Sequence, residues 1–453
     1  MAPVTNFSNV TNHGMGPGGS GGQWNRGDRI GLVDSVTGDL LYFIRNYTAS
    51  RTRMMLSTDS GTSWNEIAST TSADTIGTGP DSVCQTSDGF LHVVCGGDFK
   101  QSYIRLSLTR SGGHITAWDY SGSVITYPAN SGFPESASIR PVINALGIEC
   151  LMISAIGYNG DNWDICVTHS NNPTTNNDLF SLSGTANSCT AITMTGSTIF
   201  GNDSCTTLEQ HPVNSSVYAF WGSTNNESNM QTGIPYGYIK IDPTGGTANW
   251  TSTGAATVID TGSTTYGQVI SNSIVTSSEI WILVLRGTAG LCIDKFDSTG
   301  TYVSNYITVS AAGYCGTMAA KADGSVVFCS WIEMTTNAST GTVKHGVWNG
   351  SSWTTVTDPN ISTGLNLPNF SHVDLSNAIP MMGIISLFQN QYGSSYSIGS
   401  ILDTVNIITT SAVIDAAGEW ENLIDGDIAI SGAWQNINEI KVSIGGVWYN
   451  LVP

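Results

Sequence analysis

The chain has 453 residues, with 34 acidic and 15 basic side chains and a formal net charge of −19. Only 11% of residues are charged, against about 25% in an average chain, while 40% are hydrophobic, so the composition is neither that of a disordered acidic tail nor that of a phosphate binder. No apolar run nears the roughly 20 residues of a membrane helix, and the acidity opposes an anionic membrane surface.

The first 26 residues are rich in Gly, Asn and Ser and are expected to form a flexible N-terminal arm. They hold no basic stretch followed by an apolar core, so no signal peptide is expected. The protein should stay in the cytosol of its producer unless it leaves with a particle. From residue 27 a different rhythm begins. Short apolar or alternating runs such as DLLYFIRN, HVVC, EIWILVLRG and GSVVFCSW are separated by Gly/Asp/Asn turns, and no helical period is sustained. This predicts an all-β domain over 27–410. Nine cysteines (Cys84, Cys95, Cys150, Cys166, Cys189, Cys205, Cys292, Cys315 and Cys329) fall within this rhythm without a CxxC pair. They read as reduced core residues, not as disulfides or a zinc site.

One unit stands out: Ser57-x-Asp59-x-Gly61-x-Ser63-Trp64. Asp and Ser side chains satisfy backbone amides in a tight hairpin, Gly permits positive φ, and Trp packs between sheets. The unit resembles the Asp-box of bacterial neuraminidase repeats, which implies a sialidase-like β-propeller with these residues in a structural role. Weaker copies end at Trp118, Trp250, Tyr302 and Trp353, and the long gap before Trp250 leaves room for one hidden copy near 168–180. With a further strand-rich segment at 366–405, the spacing predicts six or seven blades, with seven favoured.

The C-terminal residues 411–453 carry their own repeat, G-x-W-x-N-[LI], three times at a 14-residue interval. It places Trp420, Trp434 and Trp448 at equivalent positions. Units this short need stacking or strand exchange to bury a core. They predict a small β tail used for assembly. The tail resembles those of bacteriophage tail and fibre structural proteins, which implies other virion proteins as partners through the arm and the tail, a homo-oligomer, and a place in the virion.

The sialidase resemblance also implies candidates for chemistry: Arg29 in place of the first carboxylate-binding arginine, Glu209, Arg286 and Tyr314. The pattern is incomplete, because the strand after Glu209 ends in Trp221-Gly222 where the family has an arginine, and no acid/base Asp is found. His211 and Tyr314 are the residues a polysaccharide lyase would pair. The seven histidines are scattered, with no HExxH, GxSxG or P-loop, so no cofactor or metal is expected. Tyr158, Trp163, Tyr392 and Tyr396 offer faces for sugar stacking. The combined expectation is a virion structural protein whose propeller faces a host-surface glycan without efficient catalysis. The alternative is a glycosidase or polysaccharide lyase acting on an anionic glycan. Neither nucleic acid nor membrane insertion enters either reading.

Overall fold

The computed structural model describes residues 4–12, 31–46, 51–59, 63, 65–69, 79–96, 101–125, 132–158, 163–169, 190–194, 204–223, 236–245, 250–252, 257–260, 269–286, 290–320, 327–334, 341–348, 350–362, 366–374, 384–392 and 395–406, and six short strands beyond. At 4–12, from 366 onward and at some other strand positions it describes the backbone alone. Among the described residues there is no helix.

β1 (Val4–Asn12) comes first. The first meander is β2 (Gly31–Val33), β3 (Leu40–Asn46), β4 (Arg51–Ser57) and β5 (Asn65–Ser69). The second is β6 (Gly79–Gln85), β7 (Leu91–Gly96), β8 (Gln101–Ser111) and β9 (His114–Ile125). The third is β10 (Gly132–Ile143), β11 (Glu149–Tyr158), β12 (Trp163–His169) and β13 (Thr190–Met194). The fourth is β14 (Ser204–Gln210), β15 (Val217–Ser223), β16 (Tyr236–Pro243), β17 (Trp250–Ser252) and β18 (Thr257–Asp260), the last two both pairing with β16. The fifth is β19 (Val269–Val275), β20 (Ile280–Arg286), β21 (Gly290–Phe296) and β22 (Tyr302–Ser310). The sixth is β23 (Gly313–Ala320), β24 (Val327–Met334), β25 (Gly341–Trp348) and β26 (Trp353–Ser362). Then come β27 (Asn366–Asp374), β28 (Ile384–Tyr392) and β29 (Ser395–Asn406).

Within each meander neighbouring strands pair antiparallel in sequence order, and the first strand lies beside the first strand of the next meander, from β2 and β6 through to β23 and β27. Repeated four-stranded sheets entered through their inner strand are the plan of a β-propeller. The first meander also belongs to an eight-stranded sheet, in the order β1-β29-β28-β27-β2-β3-β4-β5, where β27 and β2 pair in parallel through Gly31↔Val373 and Leu32↔Asp374. Residues 4–12, expected within a flexible arm, are thus the end strand β1 of this sheet. Backbone pairing, which needs no alternating side-chain pattern, accounts for the difference.

The core lies between sheets, and strand parity decides which gap each side chain fills. Val83 and Val93 pack with Leu41, Phe43 and Met54 of the first meander. Their neighbours Cys84 and Val94 point the other way, to Ile139, Leu151 and Ile153 of the third. Cys150 and Met152 in turn face Leu208, Val217 and Trp221 of the fourth. Strands covered on both faces lose the period-2 signature, as in β21, whose residues are almost all buried. The outer strand β22 keeps partial alternation. Cys84, Cys150, Cys292 and Cys329 are buried cysteines outside any disulfide, as the apolar runs around them predict.

The chain divides into two compact units, Asn6–Thr404 and a second made of Met1–Thr5 with Val405–Pro453, against an expected boundary at 410. In the second unit three hairpins follow one another: β30 (Val413–Ile414) with β31 (Trp420–Glu421), β32 (Ala429–Ile430) with β33 (Ala433–Trp434), and β34 (Lys441–Ile444) with β35 (Val447–Asn450). Each repeat tryptophan sits on the second strand of its hairpin, opposite Ile414, Ala429 and Ser443 respectively.

Candidate functional site

In an antiparallel meander the first and third hairpins turn at the same end, and this end carries the sequence repeats. The first-hairpin turns close by backbone hydrogen bonds, Gly89 N–H to Thr86 O at 2.9 Å and Gly147 N–H to Asn144 O at 3.0 Å. Gly89 and Gly147 have φ of +84° and +75°, a region open to glycine at no steric cost.

The third hairpins carry the Asp-box. Asp59 Oδ1 accepts the Ser57 hydroxyl and the Ser63 amide, both at 2.8 Å, and Oδ2 accepts the Ser63 hydroxyl at 2.6 Å. Burial raises the Asp59 pKa, but the donors of Ser63 and Ser57 outweigh it and hold the carboxyl below its ordinary value. Gly61 and Trp64 lie outside the described residues. Asp297 repeats the device, with Oδ1 accepting the Thr299 hydroxyl at 2.6 Å and the Thr301 amide at 3.0 Å. The aromatics ending four weaker copies, Trp118, Trp250, Tyr302 and Trp353, pack against the inter-sheet cores. Of the hidden copy expected near 168–180, residues 170–180 fall outside the described residues.

These hairpins latch one meander to the next. Asp34, in the first turn of the first meander, takes a two-pronged bond from Arg110 of β8, Nε to Oδ2 at 2.9 Å and Nη2 to Oδ1 at 2.5 Å. Asp39 accepts the Ile115 amide at 2.7 Å and faces His114 Nδ1 at 2.8 Å. His211, in the corresponding turn of the fourth meander, donates from Nε2 to Asp297 O at 2.8 Å, while its Nδ1 accepts the amides of Val213 and Asn214. Both ring nitrogens are therefore used in a turn, and the ring is not free to act as a base. Gln85 and Gln210 end β6 and β14 and clamp the preceding meander in the same way. Gln85 accepts Ser35 N–H at 2.8 Å, and Gln210 accepts Ile143 N–H at 2.7 Å.

A buried polar belt crosses the inner strands. Arg140 of β10 donates from Nε to Glu209 Oε1 of β14 at 3.1 Å and from Nη1 to Ser82 Oγ of β6 at 3.0 Å. Ser273 of β19 donates to Glu209 Oε1 at 2.8 Å and shares a 2.6 Å bond with Thr207. Ser82 and Ser138 hydroxyls also accept the amides of Ile139 and Leu208 on the following strands, both at 3.2 Å. All of these side chains are buried. Nearby, His92 of β7 lies between the Thr86 hydroxyl at 2.8 Å and the Tyr103 hydroxyl at 2.6 Å. Burial pushes the His92 pKa down to about 3 and pushes Tyr103 up.

The structure thus places Glu209 on an inner strand in a buried ion pair. Tyr314 lies on the inner strand β23 and Arg286 ends β20, their side chains outside the description. Arg29 lies outside the described residues. Arg140 was not among the sequence candidates; its signal was a lone cation in the apolar run SASIRPVI. Among the described residues no cluster of three His, Cys, Asp or Glu side chains could hold a metal ion.

No family model and no curated protein matches the chain. Among solved structures it is similar to the BP39L lectin of Burkholderia pseudomallei, at 10% identity and a TM-score of 0.53, over 89% of this chain and 99% of the lectin. It also aligns with Trypanosoma rangeli sialidase in complex with sialic acid, at 9% identity and a TM-score of 0.46, over 99% and 68%. Polysaccharide lyase Uly1 aligns at 9% and 0.42, over 86% and 93%. The likeness to the lectin is one of fold.

Proposed function

We propose that the chain is a glycan-binding adhesion propeller without efficient catalysis, carried on a bacteriophage particle as a tail, fibre or surface component. One observation carries the non-catalytic half. Glu209 is the one sialidase-type candidate with a described side chain, and it is buried against Arg140 with Ser273 on the same oxygen. A nucleophile's partner must be able to exchange a proton with a reacting group, and a sealed ion pair bound on several sides is arranged for architecture. The fold shared with a lectin supports the glycan half. The virion setting rests on the tryptophan hairpins, each of which is too small to bury a core alone.

We also infer seven blades. The parallel pair β2–β27 supports this count, since it joins the last inner strand to the first, and β1 then serves as the outer strand of the last sheet.

The test is a glycan array probed with the full chain, with chromatography of each bound glycan after incubation. Retention of intact glycans is expected. Release of sialic acid or of unsaturated oligosaccharides would replace this reading with the enzyme alternative. For assembly, sedimentation of the full chain beside a Trp420→Ser, Trp434→Ser, Trp448→Ser variant should show a multimer reduced to smaller species.

A further inference from the structure

The fifth meander carries a row of side chains that neither the turns nor the inner belt uses. Glu279 precedes β20, Trp281 is on β20, Lys295 on β21 and Tyr306 on β22. Lys295 Nζ is 2.8 Å from Glu279 Oε1, and Trp281 Nε1 donates to Glu279 Oε2 at 2.7 Å. The same ammonium sits 3.8 Å above the Tyr306 ring centroid, and that ring meets Trp281 edge-on at 5.4 Å. Tyr306 is 42% exposed.

The backbone is bent to present this ring. Three residues of β22, Ser304, Asn305 and Tyr306, oppose the single residue Asp294 of β21 between the pairs Ile293↔Ile307 and Lys295↔Val303. Asp294 is fully buried, and its carboxylate accepts the Asn305 amide at 2.8 Å and the Tyr302 hydroxyl at 2.5 Å. Asn305 has a left-handed φ of 48°. A bulge re-aims a side chain, and a buried carboxylate with a left-handed non-glycine residue is a costly way to hold one. A rim that needed only to be wet would not require it.

We propose that this row is a subsite for a neutral pyranoside, a ligand class that rests on the glycan-binding reading above. The exposed ring takes the apolar C–H face of the sugar. Lys295, held by Glu279 at 2.8 Å, fills the other face of the ring at 3.8 Å and so fixes the ring for stacking. An anionic sugar gains little here, because Glu279 already neutralises the ammonium and the chain carries a charge of −19.

The test is saturation-transfer NMR on the full chain with methyl α-mannopyranoside, methyl β-galactopyranoside, methyl α-fucopyranoside and the methyl glycoside of sialic acid, with thermal unfolding as the check on folding. At least one neutral glycoside should bind. Tyr306→Ser should weaken it by about tenfold or more, Tyr306→Phe should keep it, and Lys295→Gln should weaken it severalfold. Neutral-sugar binding that survives Tyr306→Ser in a folded protein overturns the subsite and leaves the glycan-binding reading intact, as does binding of the sialoside alone. Binding of no sugar here or on the array overturns both.

Discussion

Two cation–carboxylate pairs in this protein sit at similar distances and do different work. Arg140–Glu209 spans inner strands at 3.1 Å with side-chain exposures of 4% and 5%, whereas Lys295–Glu279 lies on the fifth sheet at 2.8 Å with 14% and 18%. The first is tied to hydroxyls on neighbouring inner strands, so its charges are satisfied within the protein. The second sits beneath a half-exposed ring. A charged pair in a repeat protein is thus read by what surrounds it: sealed polar groups fix strands to one another, and the outer pair supports a ring that faces solvent.

The comparison breaks most sharply at the sealed pair. Arg140→Met alone should cost about 3–5 kcal/mol in urea unfolding, because Glu209 is left charged and buried. A loss near zero would show that water reaches the inner strands.

His92 extends the contrast to a neutral buried group. Its folded-state pKa is about 3 against 6.5 for the free side chain, so between these values the unfolded chain binds the extra proton. The stability is present above about pH 6.5 and is lost as pH falls toward about 3, by up to a few kcal/mol. His92→Gln should remove close to one proton from the pH dependence of unfolding in that window. An unchanged slope would assign the acid sensitivity to carboxylates such as Asp34, whose pKa is held low by Arg110, Gln85 and Thr37 in spite of the opposing effect of burial.

Smaller effects follow at the hairpins. Asp34→Ala removes the buried end of the Arg110 latch and should cost about 1–3 kcal/mol. Asp59→Ala, in a more exposed turn, should cost about 1 kcal/mol, read as a shift in melting temperature. The open pair comes last. Lys295→Gln should change stability by less than about 1 kcal/mol, so any loss of sugar binding in that variant reports on the ligand and not on the fold.

The parts of the architecture visible in the sequence are those satisfied locally. Asp59 finds its partners at Ser57 and Ser63, and Asp297 at Thr299 and Thr301, so a short motif records each turn. The three tail hairpins likewise follow a repeat that fits within one turn and its strands. Glu209 was visible through a family phrase, but its partner Arg140 stands 69 residues away and was not. Inter-sheet contacts join residues that no short window contains. The Gln85 and Gln210 clamps recur in the same slot of two meanders, yet no turn signature of their own marks them in the sequence. Strand β1 was missed because edge pairing is a backbone property, and VTNFSNVTN shows no alternation. Tyr306 carries no signal of its own in the sequence, since the bulge beside it depends on Asp294 of the neighbouring strand.

The most direct measurement uses the paired replacement Arg140→Met, Glu209→Met, with urea unfolding and glycan retention followed on the same protein. Removing both charges together orphans neither, so stability should stay within a few kcal/mol of the parent and well above the Arg140→Met single variant, with glycan binding unchanged. A folded double variant that no longer binds glycan would contradict the account and make the inner belt part of the site.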